Sequence, residues 1–120
     1  MNKPFLPPDD LPPLAATQLD RILRRQLEES TGKCFYQVCD RITQALLSTC
    51  EWYITTNSSA LMLFIACPDV VTYWNIVSNI AQLGGRLERF ASSAKIRVYP
   101  PVGKGTPFEI GVDEISADRD

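Results

Sequence analysis

The sequence predicts an α+β domain: an N-terminal helical hairpin, then a mainly antiparallel sheet of four or five strands with one inserted helix, in the order α-α-β-β-α-β-β. Three observations predict it. Apolar residues recur at helical spacing over residues 14–30 and 35–50. The period then changes, and residues 51–56 and 60–67 become β-branched, aromatic and apolar. After another helical stretch, two alternating runs flank a loop rich in Gly and Pro. A chain of 120 residues fits one domain.

Residues 1–13 contain five of the nine prolines. Such density forbids helix and ladder, so they form an extended arm able to dock Phe5, Leu6 and Leu11 on its own domain or on a partner. Residues 14–30 form a helix with Leu19, Ile22, Leu23 and Leu27 on its apolar face, and Gly32 is its stop signal. A second helix covers 35–50, with Phe35, Val38, Cys39, Ile42, Ala45, Leu46 and Thr49 inward. The short connection predicts an antiparallel hairpin.

Residues 51–56 are a strand, 57–59 a turn and 60–67 a strand apolar on both faces. Such a strand is either central or paired at an interface with a second copy, which makes a homodimer an expectation. Pro68 and Asp69 open the third helix, and Asp69 can cap it. Val70, Tyr73, Trp74, Val77, Ile80 and Ala81 mark its buried face, and Gly84-Gly85 ends it. Residues 95–99 and 108–113 pair as a hairpin around the loop 102–107. The domain spans 14–115, and 116–120 is a polar tail.

Composition narrows the function. There is no histidine, so the commonest general base near neutral pH and the commonest metal ligand are missing. The four cysteines, Cys34, Cys39, Cys50 and Cys67, form no C-x-x-C pair and read as small buried apolar groups. Neither a cofactor nor a metal is expected. Cys34, beside Lys33, is the least unsuitable nucleophile. The longest apolar run has eight residues, far short of a membrane span, and residues 1–13 lack the apolar core of a secretory signal. A cytoplasmic protein follows as the expectation. A net charge of −2 argues against general nucleic-acid affinity.

Four features remain as candidate sites. Gly103-Lys104-Gly105-Thr106 looks like a phosphate loop but lacks the spacing and the following helix. Arg86, Arg89, Lys95, Arg97 and Lys104 gather in one basic stretch. Either they pair with the acidic residues after Glu109, or Arg86, Arg89, Arg97 and Lys104 bind an anion. Arg21, Arg24 and Arg25 lie among Asp20, Glu28 and Glu29 as an ordinary solvated helix face. Trp52 and Tyr53 must point to opposite faces of one strand, so one of them is available to a partner. With Arg97 and Tyr99 they are the candidate partner-binding residues.

The run Ile96-Arg97-Val98-Tyr99-Pro100-Pro101, through Gly103-Lys104-Gly105-Thr106-Pro107-Phe108-Glu109-Ile110 and Val112-Asp113-Glu114-Ile115-Ser116, resembles small cyanobacterial proteins of unassigned function. Among single-domain cyanobacterial proteins of this size, the carboxysome shell-assembly chaperones are one family for comparison. The resemblance implies a non-catalytic protein that binds the tail of a shell subunit, and it transfers no individual residue. The expected function is a protein-binding accessory or assembly factor that takes a partner segment at a sheet edge or aromatic surface. The alternative is a small-ligand or anion sensor built on the basic strand and the glycine loop.

Overall fold

A computed structural model describes residues 13–57 and 60–118. The expected arm lies almost wholly outside these residues, as does the tip of the first hairpin. Asp40, not Gly32, divides the first helical region. Helix α1 runs unbroken over Pro13–Val38, and α2 covers Arg41–Ser48. Gly32 sits inside α1 over the Trp52 ring, where a Cβ would meet that ring at an ordinary 3.8 Å. Glycine there costs the helix about 1 kcal/mol, which does not stop a helix held by packing. The effective break is the Asp40 side chain, which accepts the Thr43 N–H at 3.0 Å and starts a new helix. That restart shifts the helical phase. Thr43 and Leu47 turn inward, while Ile42, expected in the core, is exposed. Gln44 Nε2 donates to the Tyr36 carbonyl at 2.8 Å and ties α2 to the end of α1.

Strands β1 (Glu51–Asn57) and β2 (Ala60–Ala66) form the first hairpin. Two helices follow, α3 (Val70–Ser78) and α4 (Ile80–Leu87), where one was expected. Asp69 caps α3 as expected, accepting the Thr72 N–H at 2.7 Å. The chain breaks at Asn79, whose Nδ2 donates at 2.8 Å to the buried Thr43 hydroxyl. Gly84 and Gly85 lie within α4 and do not end it. Strands β3 (Ser93–Tyr99) and β4 (Phe108–Gly111) make the second hairpin. Residues 112–118, expected as strand end and tail, form helix α5 (Val112–Asp118). Glu114 Oε1 accepts the Gly111 N–H at 2.6 Å, which closes the strand and opens the helix.

The sheet is mixed, with order β1-β2-β3-β4. The two hairpins are antiparallel, but β2 and β3 are parallel. The helical crossover from β2 to β3 returns the chain to the starting end, and a strand entered from that end must run parallel. Strand β2 is therefore paired on both edges, so it offers no edge to a second copy.

Alternation divides the sheet into two faces. Ile54, Leu63 and Ile96 share one register row, and Ile65 and Val98 another. All five are buried, as are Phe35, Leu47, Ile76, Leu83 and Leu87 from the helices. Each such side chain contributes about 1.5–3 kcal/mol on burial. The opposite face carries Tyr53, Phe64, Arg97 and Glu109 in one row, and Thr55, Met62 and Lys95 in the next. None of these is buried. No described helix is long and apolar enough to cross a membrane.

Candidate functional site

Strand β1 is an edge strand, and its outer edge is where the molecule is open. The Thr56 N–H points away from β2 and donates to Glu28 Oε2 at 2.7 Å. Backbone groups alternate along a strand, so the N–H groups of Trp52 and Ile54 point the same way. Neither has a hydrogen-bond partner among the described residues. Glu28 thus does for Thr56 what the carbonyl of a neighbouring strand would do, and the next two positions along the edge are unfilled.

A groove of about 860 Å3 lies beside them. Its helical wall is Arg25, Glu28, Glu29, Gly32, Lys33, Tyr36 and Gln37 of α1, and its other wall is residues 52–55 of β1. Alternation sends Trp52 to the helical side. There it meets the Phe35 ring edge-on at 5.9 Å and stacks on Tyr36 at 6.1 Å. The Tyr36 hydroxyl is held 2.9 Å from Ser48 Oγ, so this wall is braced from behind. Gly32 lies over the indole, where an added Cβ would make only ordinary contact. The groove floor is rigid and aromatic, with Arg25, Glu29 and Lys33 exposed on its rim.

Tyr53 points to the open sheet face and is 58% exposed. Its ring stacks on Phe64 at 4.9 Å, and Phe64 stacks on Tyr99 at 6.5 Å. The Arg97 guanidinium lies 6.0 Å from the Tyr99 ring and donates to its hydroxyl at 3.3 Å. Arg97 also binds Glu109 through Nε at 2.7 Å, and Lys95 approaches the same carboxylate at 3.9 Å. The bonds to the Tyr99 hydroxyl and the Glu109 carboxylate raise the Arg97 pKa above its usual value.

Of the four candidate partner residues, then, Tyr53, Arg97 and Tyr99 share one face through Phe64, and Trp52 lines the groove behind it. Phe64 had no distinguishing signal within its apolar run, because only the register places it between two exposed tyrosines. The basic residues lie on different elements. Arg97 is on the open face and paired with Glu109, whereas Arg86 belongs to α4 on the helical side. Arg89 is exposed just beyond α4, and Lys104 is exposed in the loop after β3. Trp74, expected in the core, is 57% exposed on α3, with Ile76 taking the buried position.

The cysteines divide. Cys39 and Cys67 are buried, and desolvation pushes their pKa up to about 11 and about 12. Cys50 is half-buried, with its sulfur 3.9 Å from that of Cys67. Cys34, expected to be buried like the others, is exposed. Among the described residues no three Cys, Asp or Glu side chains are grouped to hold a metal ion.

Comparison with known proteins finds no matching family, no significantly similar curated protein and no significantly similar solved structure.

Proposed function

We propose that this protein is a non-catalytic peptide-binding accessory domain. It takes an extended segment of another protein along the outer edge of β1, in the groove against α1, as an added strand. One observation carries the reading. Among the described residues, the outward N–H groups of Trp52 and Ile54 have no partner, and they open onto a groove whose aromatic floor is already braced. Main-chain bonds to that edge supply affinity, and alternate side chains of the peptide meet either the Trp52–Tyr36 floor or the Tyr53–Phe64 ladder. Glu28 blocks the edge beyond Ile54, which fixes the register and limits pairing between long edges.

The test is selection of binders from a displayed library of random peptides, followed by amide exchange on the complex. The expected binders slow exchange at Trp52 and Ile54. N-methylation of alternate peptide residues abolishes binding in one phase and spares it in the other. Tyr53→Ala weakens binding by about tenfold while leaving the fold intact. Failure to select any binder, or protection centred on Arg97 and the loop at Lys104, overturns the reading. The second of those results favours an anion or small-ligand site.

A further inference from the structure

A different surface carries a second inference, independent of the groove. Every residue from Thr17 to Leu27 of α1 is exposed, so this stretch of the helix stands clear of the domain on all sides. Isolated helical segments of this length are marginal in water, and packing normally supports them. Yet four large apolar side chains, Leu19, Ile22, Leu23 and Leu27, are 49–58% exposed there.

Their direction is informative. At about 100° per residue, Leu19 and Leu27 lie within about 40° of Leu23. The side of α1 that meets the domain is marked by Glu28, Gly32 and Phe35, which lie about 120–180° away. The leucine ridge therefore faces outward, opposite the sheet. It is also symmetric, with Leu19 and Leu27 four residues either side of Leu23. Such a ridge is self-complementary about a two-fold axis at Leu23.

We infer that a second copy of this chain packs antiparallel on the outer face of α1, with Leu23 against its own counterpart and Leu19 against Leu27. Charge supports this occupant and this direction. Asp20 and Arg24 flank the ridge on the same side, and no ion pair engages either among the described residues. An antiparallel two-fold brings that side of one helix against the same side of the other. Asp20 then faces Arg24 of the second copy within about two residues of axial offset, or about 3 Å, and the contact occurs twice. The groove lies on the far side of α1 and stays open. The ridge alone is smaller than the roughly 800 Å2 per partner of a standard stable complex. The dimer is accordingly weak, with a dissociation constant in the micromolar range.

Sedimentation equilibrium of the full chain across the micromolar range tests this. The wild type is expected to pass from monomer to dimer. Leu23→Glu, at a position already exposed in the monomer, weakens the dimer by at least about tenfold with an unchanged circular dichroism spectrum. Asp20→Arg and Arg24→Asp each weaken it, and the two together restore it. A chain that stays monomeric throughout overturns the inference. So does a double variant that fails to restore association, since that excludes the antiparallel register. A full chain that stays monomeric and associates only after removal of residues 1–12 overturns it too, because the ridge's occupant is then the chain's own arm.

Discussion

Gly84 and Gly85 are neighbours in α4, and substitution by alanine should move stability in opposite directions. Either change improves helix propensity by about 1 kcal/mol. At Gly85 a new Cβ meets nothing within 4 Å, so Gly85→Ala should stabilise by up to about that amount. At Gly84 a Cβ would lie 2.7 Å from Ile115 Cδ1, with the other Ile115 carbons at a comfortable 3.9 Å. Ile115, on α5, is buried, so its methyl has little room to turn. Overpacking of this kind costs about 1–3 kcal/mol, which outweighs the propensity gain and leaves Gly84→Ala destabilised by about 1 kcal/mol. The two variants should therefore differ by about 2 kcal/mol, or about 8 °C in Tm. Thermal and urea unfolding of both proteins measure this. The clash is with one methyl group, so Ile115→Val, itself costing about 0.5–1.5 kcal/mol, should cost less in the Gly84→Ala background than alone. Equal stabilisation by both alanines would refute the close approach of Ile115 on α5 to Gly84 on α4.

Two further outcomes are expected. Asp40 and Asp69 cap α2 and α3, and their hydrogen bonds with Thr43 and Thr72 hold both carboxyls below the ordinary 3.8. A lowered folded value means the contribution is complete above the ordinary value and is lost as pH falls through the folded one. Unfolding free energy should thus decline in acid below about pH 4, and the Asp40→Asn, Asp69→Asn double variant should show a shallower decline; equal slopes count against these caps. Native-state labelling with a maleimide, read by peptide mass spectrometry, should modify Cys34 first and leave Cys39 and Cys67 until the chain unfolds. Labelling of Cys67 as fast as Cys34 would contradict its burial.

Much of the fold was legible in local pattern. The strands, the Asp69 cap and the opposite faces of Trp52 and Tyr53 follow from period and capping chemistry, which act within a few residues. What was missed depends on tertiary context. Gly32 and Gly84 read as helix ends, but packing over Trp52 and against Ile115 keeps both inside helices. Asp40, three residues before Thr43, is the local cap that starts α2. Ile42 and Trp74 share the apolarity of core residues, yet helix phase turns them outward. The leucines of α1 predict an amphipathic helix correctly, though amphipathicity does not say whether the apolar side meets its own domain. Of the candidate site, the placement of Trp52 and Tyr53 on opposite faces was legible. The groove, Phe64 and the unfilled backbone groups emerge only once β1 is known to be the outermost strand.

The parallel pair at the sheet centre also constrains the order in which the chain can assemble. Ala60 pairs with Ser93, thirty-three positions later, whereas each hairpin closes between near neighbours. Closing that long loop costs entropy before any ladder bond repays it, so the two hairpins form early and their union comes late. During synthesis, the first hairpin must wait with the inner side of β2 bare until α3, α4 and β3 have left the ribosome. Mutations that loosen the crossover should therefore slow refolding.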